Sequence, residues 1–210
     1  MKHSWAATGR QMAQFDAKYY RRFYGNPTTR AASRADIAKL ADFICAYTAY
    51  VGFRVTRVLD AGCGLGHTRE SVRRFFPAAK WIGLEASEYM AHRQGFVHST
   101  LEDYRARAPF DLIICNDVLQ YADDRAARRA LANLGRLSRG ALYFRAMTTG
   151  DWKSIVDRKR SDGDVHHRPV EWYLGRLARH FRPLGGGLLA RRGCEPLLWE
   201  LERPWPPSGA

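Results

Sequence analysis

The sequence predicts an α/β fold: a three-layer sandwich around a mostly parallel, seven-stranded sheet with an antiparallel last strand. Three observations carry this. Apolar runs alternate with helix-length amphipathic stretches between residues 53 and 146, the pattern of a parallel sheet covered on both faces. The first of those runs passes directly into glycines, VLDAGCGLG, as a strand does when it turns tightly into a helix beside a ligand. Two further apolar runs near the carboxyl end, GGGLLARRG and EPLLWELER, read as a hairpin at the sheet edge.

Each element has its own local reason. Phe15, Tyr19 and Phe23 recur at helical spacing and predict a short helix, broken at Asn26 and Pro27. Ser33 with Asp36 forms the pattern of a capping box. The stripe Ile37, Leu40, Ala41, Ile44, Tyr47 and Val51 then predicts a helix ended by Gly52. RVTRVLDA is the first strand, and Thr68 to Phe76 a helix stopped at Pro77. AKWIGLEAS ends its strand in an acid; residues 87–94 are helical; GFVHST is a short strand. FDLIICND follows Pro109 as a strong strand. Asp123 caps a helix over 124–137, which Gly140 closes before the strand ALYFRAM. Pro169 opens a last helix to about residue 181. The hairpin turn is expected at 193–196 and the tail PWPPSGA is expected to fray. The domain reading is an amino-terminal helical cap or lid over 1–52, a core over 53–203 and a flexible tail over 204–210.

Composition sets the outer bounds. The chain has 210 residues, 46% hydrophobic and 26% charged, which describes an ordinary globular domain rather than a disordered or membrane-embedded chain. The first 25 residues carry charges throughout and lack the apolar stretch of a secretory signal, so a cytoplasmic location is expected. Cys45, Cys63, Cys115 and Cys194 form no C-x-x-C pair; free thiols are expected and no metal site. The net charge of +13 comes almost entirely from arginine. It can steer anions to the surface, or it can be a compositional habit.

The glycine loop carries the chemistry. Asp60, Gly62, Gly64 and Gly66 sit in VLDAGCGLGH. A dinucleotide-binding loop wants Gly or Ala where His67 stands, and Asp60 would repel a pyrophosphate while welcoming a cationic ligand. Glu85 closes the second strand, where a carboxylate can accept both hydroxyls of a ribose. Asp117 closes FDLIICND and faces the same crevice. Leu101, Glu102 and Asp103 follow the short third strand, where one carboxylate can take an adenine amino group beside the leucine.

These motifs together resemble the class I S-adenosylmethionine-dependent methyltransferases. VLDAGCGLG resembles the family's first motif, WIGLEASEYM the segment with the ribose-binding acid, HSTLEDY the adenine-contacting segment, and FDLIICNDVLQYADD the fourth strand and its loop. The resemblance covers about residues 30–150. It implies a Rossmann-like fold and S-adenosyl-L-methionine as cofactor. It also implies roles: Asp60 with the backbone at Gly62 and Gly64 at the methionine end, Gly66 in the same cofactor-binding loop, Glu85 on the ribose, and Ala86 and Leu101 beside the adenine. Glu102 or Asp103 would bind the adenine amino group, and Asn116 and Asp117 would line the opening toward the acceptor. Tyr20, Arg22 and Tyr24 are candidates for closing the amino-terminal segment over the cofactor, with the Arg22 guanidinium suited to the methionine carboxylate.

The acceptor is marked less clearly. Methyl transfer is an in-line displacement that needs alignment and dryness more than a strong base. His166 and His167, in SDGDVHHRPVEWY, are the candidates for taking an acceptor proton. Tyr121, Trp152, Trp172 and Tyr173 are candidate walls of an acceptor pocket. NDVL at the end of the fourth strand lacks the double proline that resembles base- and glutamine-methylating enzymes. Residues 147–168 suit a lid or acceptor loop, and Lys153, Arg158, Lys159 and Arg160 would attract an anionic acceptor. The leading expectation is therefore a small-molecule acceptor, in a monomer or homodimer, with no membrane partner and with nucleic acid disfavoured. The alternatives are a protein or RNA acceptor, a cofactor-binding protein without transfer activity and, disfavoured by Asp60 and His67, a nicotinamide-dependent reductase.

Overall fold

The computed structural model of the chain describes residues 15–30 and 32–204. Helix α1 (Ala17–Tyr20) runs on as a π-helical turn, Arg21–Gly25, and α2 (Arg34–Tyr50) follows. The alternating part then reads β1 (Arg57–Ala61), α3 (Thr68–Phe75), β2 (Lys80–Glu85), α4 (Glu88–Gln94), β3 (Val97–His98), β4 (Phe110–Asn116), α5 (Asp124–Leu137) and β5 (Ser138–Arg145). Last come α6 (Thr149–Ser154), α7 (Val170–Leu177), β6 (Phe181–Gly185) and β7 (Leu188–Arg191).

The seven strands form one sheet in the order β3-β2-β1-β4-β5-β7-β6. The first five are mutually parallel, and β7 is antiparallel to both its neighbours. The period of two along each strand explains the three layers. Leu59, Ile113, Cys115 and Leu142 point to one face and pack with Leu131 and Leu134 of α5 and Leu177 of α7. Val58, Leu112, Ile114 and Ala141 point to the other and pack with Ile44 and Cys45 of α2 and Val72 of α3. Helix α2 is thus one of the layers of the core. Its capping box is present: Asp36 N–H donates to Ser33 Oγ at 3.1 Å, and Ser33 N–H donates to the Asp36 carboxylate at 2.9 Å.

Three boundaries differ from the sequence reading. The hairpin is β6–β7, joined by Gly185–Gly187, all at positive φ, so its turn lies some eight residues before the expected one. Pro183 is tolerated because β6 is the sheet's edge. The run EPLLWELER forms no strand; it lies along the end of α2, where Leu197 N–H donates to Val51 O at 3.0 Å. Helix α7 accordingly stops at Leu177, since Phe181 is claimed by β6. Finally, Gly140 does not close α5: β5 begins at Ser138 without a loop. Gly140 instead lies within β5 where a Cβ would stand 2.3 Å from Asp111 O, so only glycine allows this approach. The expected tail falls almost wholly in residues 205–210, outside the described residues.

The segment between β5 and α7 has closed ends: Thr148 bridges Arg168, and Thr149 N–H donates to Arg168 O at 2.8 Å. It carries α6, capped by Thr148 and Asp151. Among the described residues no helix is long and apolar enough to cross a membrane. All four cysteines are free thiols.

Candidate functional site

The carboxyl ends of β1, β2 and β4 meet at the glycine loop. Leu84 O accepts from Gly62 N–H at 2.8 Å and from Cys63 N–H at 3.0 Å, which folds the loop back over β2. Gly62, Gly64 and Gly66 all have positive φ. At Gly62 the need for glycine is double, since a Cβ would stand 2.4 Å from Val118 Cγ2 in the loop after β4.

Of the acids expected at the crevice, Asp60 and Glu85 are buried there, while Asp117 is partly exposed. Glu85 is 6% exposed. Its Oε2 accepts from Gly64 N–H at 2.8 Å and its Oε1 from Ser87 N–H at 2.9 Å. Each oxygen keeps a second lone pair. Asp60 is 3% exposed and accepts a hydrogen bond from the Thr68 hydroxyl. Burial pushes its carboxyl up to about 7; the Thr68 bond opposes this and the Glu85 charge adds to it. Asp60 is thus short of a positive partner, which suits an ammonium group.

The adenine segment is also assembled. Leu101 and Glu102 are buried, and the turn they form is held by Asn133, whose Nδ2 donates to Leu101 O at 2.5 Å and Tyr104 O at 3.0 Å. Burial raises the Glu102 carboxyl. Asp103 is exposed and paired with Arg129 on the outside, so Glu102 is the inward acid of the two. Ala86 O is bonded to His98 Nε2 at 3.2 Å.

The amino-terminal segment lies over the crevice through its tyrosines. Phe15 O accepts from Ser87 Oγ at 2.5 Å. The Tyr24 hydroxyl stands 3.7 Å from where a Cβ on Gly64 would be. Burial first, and then the Glu85 charge, push the phenols of Tyr20 and Tyr24 up. Arg22 is placed differently from its expected role: it is exposed, and its guanidinium sits 5.0 Å from the Phe23 ring centroid. The helical repeat that turns Tyr20 and Tyr24 inward turns Arg22 away.

The opening after β4 has an unusual backbone. Asp117 has φ +56, the one positive φ at a non-glycine among the described residues. Its carboxylate takes a two-toothed grip from Arg145 at the end of β5, at 3.3 Å from Nε and 2.5 Å from Nη2. Asn116 Oδ1 is buried with no protein partner. Tyr121 joins the roof: its hydroxyl is 2.9 Å from that of Tyr19, and its ring meets Phe15 edge-on at 5.1 Å.

Of the two histidines, His166 is tied to the opening through its backbone, its N–H donating to Gln120 O at 2.7 Å. His167 is exposed and lies 4.9 Å from the Trp152 ring. Trp172 and Tyr173 belong to the core side of α7. Sequence reasoning missed Arg145, Gln120 and Asp162: the last two lie inside segments it singled out, but nothing local marks these residues within them. It also missed Arg168, a buried guanidinium that donates to Asp124 Oδ1 at 2.9 Å, Leu119 O at 2.9 Å, Ala122 O at 2.5 Å and the Tyr173 hydroxyl at 3.2 Å. Arg168 fixes the loop after β4 from beneath.

The residues present fit S-adenosylmethionine: an acid with no cationic partner for the ammonium, an acid with spare lone pairs for the ribose, and a buried acid and leucine for the adenine. Comparison with known proteins agrees at the level of fold. A sugar N-methyltransferase, KedS8 from Streptoalloteichus, shares 18% identity over 91% of this chain and 98% of that one, with a TM-score of 0.63. The magnesium protoporphyrin IX methyltransferase of Synechocystis, solved with bound S-adenosylmethionine, shares 17% identity over 83% and 90% of the two chains, at 0.57. An O-methyltransferase family protein from Burkholderia thailandensis shares 19% identity over 76% of this chain at 0.51, and this chain spans 58% of its length. No curated protein matches significantly in sequence. A family model described as a methyltransferase domain matches residues 19–192, from the tyrosines over the crevice to the end of the β6–β7 hairpin, and the chain belongs to that methyltransferase-domain family.

Proposed function

We propose that the protein transfers a methyl group from S-adenosylmethionine to a small-molecule acceptor. The observation that carries this is the pair of buried acids, Asp60 and Glu85, on either side of the glycine loop. When bound, the cofactor supplies a methyl group made electrophilic by its sulfonium. This chain's residues do the rest. Asp60 is proposed to hold the methionine ammonium, Glu85 the ribose hydroxyls, and Glu102 with Leu101 the adenine. Asn116 and Asp117 are proposed to align the acceptor, and the Phe15–Tyr24 segment to exclude water. A small acceptor is favoured because Tyr19 and Tyr121 meet over the opening and the segment 149–167 is tied at both ends rather than splayed. KedS8, whose name assigns it a sugar substrate, supports the same reading.

His166 is the residue proposed to take the acceptor's proton, since its backbone is anchored to Gln120 at the opening. His166→Ala is expected to lower turnover without changing cofactor affinity, while His167→Ala leaves turnover close to wild type. Equal rates for both variants and the wild type would remove histidine from the mechanism.

The deciding experiment is calorimetric titration with S-adenosylmethionine, S-adenosylhomocysteine and NAD. Binding of the first two alone supports the proposal. Binding of NAD alone would overturn it. Tight cofactor binding with no methyl transfer to any acceptor class would favour a cofactor-binding protein without transfer activity.

A further inference from the structure

We propose that the acceptor is a hydroxylated amine, received by oxygen acceptors of the loop after β4 and of the segment between α6 and α7; this rests on the methyl-transfer reading above. Among the described residues, five buried side-chain polar atoms have no protein partner. Ser138 Oγ is at the far end of β5. The other four are Asn116 Oδ1, Gln120 Oε1, Asp162 Oδ2 and Arg160 Nε. Three of these four are acceptors. Buried polar groups of folded proteins are nearly always paired, so a cluster of unpaired ones calls for a ligand that supplies the complement. Gln120 is 2% exposed, so its amide oxygen cannot rely on bulk solvent.

The four atoms belong to two segments that meet: Asn116 and Gln120 at the end of β4 and in its loop, Arg160 and Asp162 between α6 and α7. Gln120 O receives His166 N–H, which ties the segment to the loop. Asp162 lies within electrostatic reach of both Tyr19 and Tyr121, whose hydroxyls meet at 2.9 Å. Asp162 Oδ1 is used by Asp164 N–H at 3.0 Å, which leaves Oδ2 for a ligand. The neighbouring Phe15 and Tyr121 rings add π-faces that attract a cation.

Of the four cations expected to draw an anionic acceptor, Lys153 and Lys159 are exposed, and the two arginines are otherwise committed. Arg158 donates to Trp152 O at 3.1 Å and lies 5.5 Å from the Trp152 ring centroid. Arg160 donates through Nη2 to Pro27 O at 2.7 Å. Arg145 is held by Asp117. What remains buried is the Asp162 carboxylate oxygen, which Arg22 faces, the amide oxygens of Asn116 and Gln120, and one donor, Arg160 Nε, suited to a hydroxyl oxygen. An ammonium with hydroxyl neighbours matches the buried carboxylate and amide oxygens.

The transfer balances. The ammonium gives one proton to water or to His166 and becomes the free amine. The nitrogen lone pair then forms the N–C bond while the C–S bond breaks, its electron pair staying on sulfur. The positive charge moves from sulfur to nitrogen, where the carboxylates can hold the methylammonium product.

The test uses the full chain saturated with S-adenosylhomocysteine. Binding of glucosamine, octopamine and serinol is measured by NMR against each one's N-acetyl counterpart, with glucuronate as the anionic control. At least one amine is expected to bind about tenfold more tightly than its N-acetyl form, as loss of a charged, desolvated hydrogen bond implies. Asp162→Asn is expected to remove that preference while S-adenosylhomocysteine binding stays unchanged; Gln120→Leu, which removes a different acceptor, is expected to weaken the amine in the same assay. No preference for any amine, or a preference for glucuronate, overturns the proposal. Failure of S-adenosylhomocysteine itself to bind, measured first on the same sample, overturns the methyl-transfer reading instead.

Discussion

Glu85→Gln separates what Glu85 does for the fold from what it does for a ligand. The carboxylate accepts from two backbone N–H groups, Gly64 at 2.8 Å and Ser87 at 2.9 Å, at a site 6% exposed. Glutamine has almost the same shape but only one acceptor atom. Its oxygen can serve one N–H, and its NH2 must then face the other. A buried donor without a partner costs about 1–3 kcal/mol, and the surviving bond loses its charge assistance. Removing a buried charge returns part of this. The net loss is about 2 kcal/mol, or about 4–8 °C in Tm at this chain length. The assay is thermal unfolding of the ligand-free protein, with Glu88→Gln, on the exposed first turn of α4, as the control. A Glu85→Gln protein that melts within about 1 °C of wild type would refute the reasoning, because the two N–H groups could not then depend on the carboxylate.

Three other outcomes follow from the geometry. Gly62→Ala forces an alanine to φ +74 and drives its methyl against Val118; a loss of about 2–4 kcal/mol is expected in urea unfolding, and an unchanged midpoint would mean that the loop can move aside. The Asp60 carboxyl, raised to about 7 by burial, is largely protonated at pH 6. A group raised above its unfolded value makes folding less favourable as pH rises through the window from about 4 to 7. A ligand ammonium beside it would reverse the shift, so S-adenosylhomocysteine binding at pH 6 should release a proton, seen as a dependence of calorimetric heat on buffer ionisation enthalpy; no such dependence would remove Asp60 from the ammonium site. Arg168→Leu strips two loop carbonyls, Leu119 O and Ala122 O, of their donor; about 3–5 kcal/mol of stability should be lost, and a loss below about 1 kcal/mol would show that the loop after β4 is held by its other contacts.

What the sequence made legible was the part built from fully buried strands and glycine turns. In β4 every residue from Phe110 to Cys115 is buried, so the strand reads as an apolar run interrupted only by Asp111, and Asp60, Gly62 and Glu85 are placed by where such runs end. The hairpin was misread because EPLLWELER is as apolar as a strand, yet Leu197, Trp199 and Leu201 lie exposed along α2. The true turn was hidden in Gly185–Gly187, whose positive φ values are a property of backbone and not of pattern. The charge of Arg22 suits a carboxylate, but the direction of a side chain on a short π-helical turn is set by the neighbours that bury Tyr20. Asp162 and Gln120 carry no local signal, since their unpaired oxygens exist only once three distant segments meet.

The position of β7 has a consequence for synthesis. It lies between β5 and β6, although among the described strands it comes last in chain order. Until residues 188–191 emerge, β5 keeps a row of open main-chain donors and acceptors along the edge that Ala141, Leu142 and Tyr143 will share with Ala190, Leu189 and Leu188. Such an edge is a template for another nascent chain. A ribosome paused before residue 188 would therefore hold a sheet that is apolar, open-sided and prone to pair with its neighbour on the same message, and the vulnerability ends in a single step when the last hairpin closes it.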